Sequence, residues 1–310
     1  MANRYFARGK LLITAEYMIL FGARALAVPL TLGQWLIPRN KETRGMLHWS
    51  AQYKKQPWFE TRIRLDTLTV ESATDRQTAD HLVFLLGELL ELKPGFAEQL
   101  EKRDITTRLD FDPAWGFGSS STLTSLLAQW AGADPLQFHF RISKGSGYDV
   151  ACANANGPLL YELIDDMPVV ETIDFYPSFA SQLYFVYLGK KQRSDQSLAS
   201  FLDHYVPTAR DVDHFSGLTY RLIKAPTLRE FGEIMHEHEE SLSGILQVPA
   251  LREQRFGQLE GYVKSLGAWG GDFALVATGL PESELRSYFE NKGISTVFPY
   301  KEIVYYGNEI

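Results

Sequence analysis

Cysteine is nearly absent: the 310 residues contain one, Cys152. This excludes an internal disulfide and any cysteine-rich metal cluster. With no histidine close to it in sequence, Cys152 reads as a small core residue rather than a nucleophile. No apolar run reaches the ~18 residues that cross a bilayer, and the opening stretch Met1 to Arg8 is short and polar, so a cytoplasmic location with no membrane partner is expected. Positive charge is in deficit, with 31 Lys+Arg against 38 Asp+Glu and a net charge of −7. That balance argues against a nucleic-acid surface, and an anionic ligand has to be met by local groups rather than by a global field. The Walker pattern GxxxxGK[ST] is missing, as are repeats and low-complexity tracts. What is present, 45% hydrophobic residues, suffices for a large core in one or two domains.

The most informative stretch is Trp115-Gly116-Phe117-Gly118-Ser119-Ser120-Ser121. Before it, Ile105 to Phe111 is β-rich and partly alternating. After it, Leu123, Leu126, Leu127 and Trp130 recur at helical spacing until Gly132. The hydroxyls are thus expected at a helix N-terminus, where free N–H groups and the helix dipole favour an anion and glycine lets a phosphate approach the backbone. Simple capping by Ser or Thr is the competing reading, but a cap needs one hydroxyl and no pair of upstream glycines. A dinucleotide-binding turn is the other; Ser121 stands where its third glycine belongs.

Three further stretches carry candidate chemistry. Gly9-Lys10-Leu11-Leu12-Ile13-Thr14-Ala15-Glu16-Tyr17 sets a lysine and a glutamate at the two ends of a short apolar strand, which on an arbitrary strand would be solvated flanks. Lys144-Gly145-Ser146-Gly147-Tyr148-Asp149-Val150-Ala151 places Asp149 at the start of a short helix, either as its N-cap or as a group that holds or removes a hydroxyl proton. Lys264 to Asp272 is a second glycine-dense loop, ahead of the strand Phe273 to Thr278; alone it could be an ordinary turn.

In this order and spacing, over most of the chain, the four stretches resemble the motifs of the GHMP kinases, which phosphorylate small molecules such as galactose, homoserine, mevalonate and phosphomevalonate. Lys10 to Leu30 is similar to the first motif, Trp115 to Thr122 to the phosphate-binding second, Gly145 to Ala151 to the segment with the catalytic aspartate, and Lys264 to Asp272 to the third. Within the family the first motif resembles the mevalonate and phosphomevalonate branch, and Gly147-Tyr148-Asp149-Val150-Ala151 resembles the Gly-Tyr-Asp-Ile-Ala signature of a bacterial subgroup associated with the mevalonate pathway.

The resemblance implies an α+β, two-domain GHMP kinase fold. Its N-terminal domain would be like ribosomal protein S5 domain 2 with a left-handed βαβ unit, and its C-terminal domain ferredoxin-like. ATP would lie against the second motif and the substrate between the domains. It implies an ATP- and Mg²⁺-dependent transfer to a hydroxyl or phosphate of mevalonate or phosphomevalonate, by a monomer or homodimer. Lys10 and Asp149 would be catalytic. Trp115, Gly116, Phe117, Gly118, Ser119, Ser120 and Ser121 would bind the nucleotide, and Ser120, with Glu16, the metal. Glu16, Tyr17, Ser146, Gly147, Gly270 and Gly271 would contact the acceptor.

The chain also departs from the family. The acid that helps hold Mg²⁺ some ten positions before the catalytic aspartate is missing from Gln137-Phe138-His139-Phe140. Ala15 replaces a glycine before the glutamate, and Trp269 replaces a glycine of the third motif. A non-catalytic ATP-binding relative and an ATP-dependent diphosphomevalonate decarboxylase are the alternatives.

Elsewhere, residues 41 to 76 carry strand-like stretches, and Thr78 to Leu92 reads as an amphipathic helix stopped by Pro94-Gly95. An acidic, Pro-containing stretch at Asp165 to Pro177 before the strand Gln182 to Leu188 suggests domains 1–178 and 179–310. Lys190-Lys191-Gln192-Arg193-Ser194 is a basic loop, either solvated or facing an acidic substrate. His236 and His238, at i, i+2 spacing, make a poor metal pair and read as surface residues.

Overall fold

The computed structural model describes residues 4–41, 44–189, 201–267 and 272–307 of the chain. Trp269, Gly270, Gly271 and the basic loop at 190–194 lie outside the described residues. The architecture is α+β, with an eight-stranded and a four-stranded sheet among the described residues. The larger one contains β1 (Tyr5–Leu12), β2 (Ala25–Asn40), β3 (Met46–Tyr53), β4 (Gln56–Arg64), β5 (Thr69–Ala73), β6 (Arg103–Leu109), β7 (Leu159–Ile164) and β8 (Met167–Thr172). Its order is β5-β4-β3-β6-β2-β7-β8, with β1 also on β2.

The chain divides into two compact units. The first comprises Met1–Gly9, Leu32–Pro113 and Phe117–Asn154; the second comprises Lys10–Thr31, Ala114–Gly116 and Ala155–Ile310. In the first, Gln34 to Asn40 of β2 run antiparallel to β6, and β6 is parallel to β3. A parallel pair needs a crossover, and here it passes through the β4 and β5 strands and two helices, α1 (Arg76–Leu92) and α2 (Phe96–Glu101). Helix α1 starts two residues earlier than its periodicity suggests because Asp75 caps it, accepting the N–H of Thr78 at 2.7 Å. Its stripe of Ala79, Leu82, Leu85, Leu86 and Leu89 joins Trp49, Ile105, Leu127 and Phe138 in the core. Helices α3 (Ser119–Ala131), α4 (Pro135–Ile142) and α5 (Tyr148–Ala153) pack on one another beneath it. Cys152 and Phe138 are fully buried.

In the second unit, Ala25 to Ala27 of β2 pair with β7. Its own antiparallel sheet uses β9 (Leu183–Tyr187), β10 (Tyr262–Leu266), β11 (Phe273–Ala277) and β12 (Val297–Pro299), in the order β10-β11-β9-β12. Among the described residues, the long helices α6 (Ala209–Lys224) and α7 (Leu228–Leu246) lie between β9 and β10, and α8 (Glu282–Glu290) between β11 and β12. Numbered along the chain, the strands lie 4-1-3-2, the ferredoxin-like arrangement. A final short helix, α9 (Tyr300–Ile303), follows β12. All five residues of β11 are buried, so this central strand reads as a continuous apolar run. Among the described residues no helix is long and apolar enough to cross a membrane.

Candidate functional site

The loop from β6 to α3 has the form its sequence predicts. Gly118 precedes α3 in the left-handed conformation (φ 89°), and Gly132 ends the helix in the same conformation (φ 69°). Gly118 has no side chain with which to cap α3, and no side-chain hydrogen bond is made at this cap, an arrangement suited to an anion. The structure sorts the hydroxyls. Ser121, 4% exposed, donates back to the Gly118 carbonyl at 3.0 Å; Thr122, 0% exposed, donates to Gln34 Oε1 at 2.6 Å. Ser120 is exposed and Ser119 half-buried. The expected nucleotide contacts of Ser121 therefore reduce to its backbone, because its hydroxyl closes the turn. Phe117 is likewise fully buried against Phe111, and Trp115 stacks edge-on with Phe298 at 5.0 Å between ring centres.

At the entrance to this loop three separated stretches meet on one glycine. Lys10 Nζ donates to the Gly116 carbonyl at 3.2 Å. A Cβ added to Gly116 would overlap Oδ2 of Asp272, at the end of the third glycine-dense stretch. Gly116 is thus closely approached by two charged groups, its carbonyl by the Lys10 ammonium and its Cα by the Asp272 carboxylate. Asp272 was not among the candidate residues; nothing local in its loop distinguishes it from an exposed turn aspartate.

In the first unit, Asp149 sits in the opening turn of α5. It is not the cap of that helix: the cap position is Gly147 (φ 81°), and Asp149 accepts the next residue's N–H, from Val150, at 3.0 Å. The capping reading is thereby set aside, and its half-buried carboxylate is held in a fixed orientation. The preceding loop is pinned by His139, whose Nε2 meets the Gly145 carbonyl at 3.1 Å, and Ser146 and Gly147 are buried in that loop. The stretch lacking the family's acid thus serves as scaffold, with Phe138 in the core and His139 under the loop. Asn154 ties α5 to α3, accepting from Ser125 at 2.9 Å and Gln129 at 2.7 Å.

No family model and no curated protein sequence matches the chain. Solved structures do. The mevalonate kinase of Methanococcus jannaschii is similar at TM-score 0.70 and 13% identity, over 96% of this chain and 97% of that one. Streptococcus pneumoniae phosphomevalonate kinase, in complex with phosphomevalonate and AMPPNP, gives 0.71 and 15%, over 94% and 97%. Lactococcus lactis galactokinase, complexed with galactose, gives 0.67 and 13%, over 98% and 93%. The fold is that of the GHMP kinases.

The first-motif residue Glu16 of this GHMP fold has a different partner from the metal or acceptor expected for it. Its carboxylate is 2% exposed, and Oε1 forms an ion pair with Lys264, itself 0% exposed. Burial pushes Glu16 up to about 7, opposed by Lys264. Glu239, 1% exposed, lies beside the pair and accepts the N–H groups of Leu251 (3.1 Å) and Ser265 (3.0 Å); burial raises its pKa also. Tyr17 stacks on Phe201 at 4.8 Å.

The surface reading of His238 is overturned: His236 is exposed, but His238 is 0% exposed. The sequence did carry a signal, since His238 continues the buried stripe Phe231, Ile234, Met235, Leu242 of α7. His238 Nε2 accepts the Ala15 N–H at 2.8 Å, so this nitrogen carries no proton and the ring is neutral. Its 3.4 Å approach to Glu16 Oε2 is therefore not an ion pair.

Burial, and after it Lys264, hold His238 well below the ordinary histidine range. The unfolded chain then takes up the proton first, and the stability contributed by neutral His238 is present above about pH 6.5 and lost as pH falls below it. Glu16, raised in the folded state, acts in the opposite sense between about 4.5 and 7. Between pH 7 and 5 the thermal midpoint of wild type should fall further than that of His238→Gln; parallel curves would refute the assignment of a neutral ring.

Proposed function

We propose that the chain is an ATP-dependent small-molecule kinase, transferring the γ-phosphoryl group of ATP to a hydroxyl or phosphate oxygen of a mevalonate-type acid, mevalonate or phosphomevalonate. The observation that carries this reading is the meeting of Lys10 and Asp272 on Gly116 at the mouth of the phosphate loop, in a chain with the GHMP kinase fold. Phosphoryl transfer asks a protein mainly for in-line positioning and for neutralisation of charge on the equatorial oxygens. The first turn of α3 supplies N–H donors to the phosphates, with Ser119 beside them. Lys10 neutralises charge on the transferred group. Asp149 orients the acceptor and, where that acceptor is a hydroxyl, takes its proton as the new P–O bond forms and the bond to ADP breaks.

Mg²⁺, when bound, neutralises the phosphate oxygens. The donors present fit it: Ser120 offers an exposed hydroxyl beside the phosphate loop, and Mg²⁺ is commonly held by one or two protein oxygens, phosphates and water. Glu16 is left out of the metal shell in this reading, since it is 2% exposed and its Oε1 is paired with Lys264. Ser120→Ala should raise the KM for Mg·ATP by about ten-fold, on the scale of one lost charge-assisted contact. Titrating Mg²⁺ at fixed ATP checks this, and an unchanged Mg²⁺ dependence removes Ser120 from the site.

The deciding assay is ADP release with Mg·ATP against mevalonate, phosphomevalonate, diphosphomevalonate, homoserine and galactose, with product masses recorded. Phosphorylation of one acid supports the kinase and names its acceptor. CO₂ release from diphosphomevalonate supports the decarboxylase instead, and ATP binding without turnover on any acceptor supports a regulatory binder.

A further inference from the structure

We infer that His238 is a positioning residue for the Lys10 strand, acting through the turn at Thr14–Tyr17; the effect on turnover rests on the kinase reading above. Strand β1 ends at Leu12, two residues after Lys10, and the chain enters a turn in which Ala15 (φ 61°) and Tyr17 (φ 63°) are both left-handed. Neither is glycine, and each such conformation costs on the order of 1 kcal/mol. A strained turn persists only where its surroundings over-determine it.

The surroundings here are specific and buried. Thr14 and Ala15 are 0% exposed and Glu16 is 2% exposed. Thr14 Oγ1 accepts from Leu26 N at 2.9 Å and from Thr219 Oγ1 of α6 at 2.7 Å, and Glu16 is paired with Lys264 of β10. These bonds fix both sides of Ala15. The N–H of Ala15 itself is met by His238 Nε2, 223 residues further along the chain. Without that lone pair a buried donor would go unsatisfied at a strained point of the turn. Phe215 holds the imidazole in place, its ring edge-on at 4.9 Å.

The ring therefore does for Ala15 what the left-handed backbone does not do for itself. It fixes where β1 ends and so where Lys10 projects toward Gly116. A displacement of about 1 Å at a reacting group can cost on the order of a hundred-fold in rate.

Gln and Asn at position 238 separate this role from mere packing. Both are neutral and polar, but a Gln amide reaches about as far as Nε2 and an Asn amide falls short of it. His238→Gln is expected to retain kcat within about two-fold. His238→Asn should lose about ten-fold in kcat with the KM for ATP little changed, since nucleotide binding is drawn from the α3 loop. Adding Ala15→Gly to His238→Asn should recover part of the loss, because glycine accepts φ 61° without strain. Equal kcat in the Gln and Asn variants, or a defect confined to KM, overturns the inference.

Hydrogen exchange at the Ala15 amide gives an independent reading. It should be protected in wild type and His238→Gln and selectively exposed in His238→Asn. If wild type turns over no acceptor, the kinase reading fails on its own; unchanged Ala15 protection in a folded His238→Asn protein overturns the positioning role separately. Should His238→Asn not fold, failure of His238→Gln to protect Ala15 overturns it equally.

Discussion

Asp149→Ala and Lys10→Ala should each reduce turnover by at least about a thousand-fold while the protein stays folded. A positioned general base contributes about 10² to 10⁴ in rate, and a charge placed against a developing anion about 10² to 10³. Neither side chain holds up the core. Asp149 is half-buried and bonds its neighbour's N–H, and Lys10 is half-buried with its ammonium at the Gly116 carbonyl. Truncation should therefore change the thermal midpoint by only a few degrees, in keeping with ~1 kcal/mol effects of part-exposed polar groups. The check is single-turnover ADP formation on the acceptor found in the panel assay, beside a melting curve for each variant. Wild-type rates in either variant would remove that residue from the chemistry, and with both unaffected the kinase assignment fails.

Gly116→Ala is expected to be nearly as damaging for a different reason. The added methyl group would overlap the Asp272 carboxylate, so one of the two has to give way. Either Asp272 or the loop entrance has to move, and forcing extra carbon into a filled site typically costs about 1–3 kcal/mol. The loop that moves is the one proposed above to cradle the phosphates, so ATP affinity should fall by about ten- to a hundred-fold. Calorimetric titration with ATP measures it. Asp272→Gly in the same chain removes the obstructing atoms and should restore nucleotide binding. Undiminished ATP affinity in Gly116→Ala would mean that the loop entrance lies away from the nucleotide.

Much of the site's scaffold was legible in short windows of sequence. Gly118 and Gly132 bracket α3 because each adopts a left-handed conformation suited to glycine, and Asp75 starts α1 because its carboxylate reaches the Thr78 N–H. Such signals act over three or four residues and survive in any fold that keeps the local geometry. The resemblance to the GHMP kinases rested on the order of four such windows, and the fold agrees with it.

What the windows could not decide is which polar side chain meets which. By spacing alone the four hydroxyls of Ser119 to Thr122 were equivalent; packing turned Ser121 and Thr122 inward and left Ser120 in solvent. Glu16 looked available to a ligand until β10 brought Lys264 against it across 248 residues. His238 looked solvated until the apolar stripe of α7 carried it under Ala15. Sequence by itself determined the loops, the helix ends and the inventory of charged groups, because backbone conformation and periodicity are local properties. Tertiary structure alone determined the partners of those charges, because a buried ionic or hydrogen-bonding group is tolerated only where another element delivers its complement.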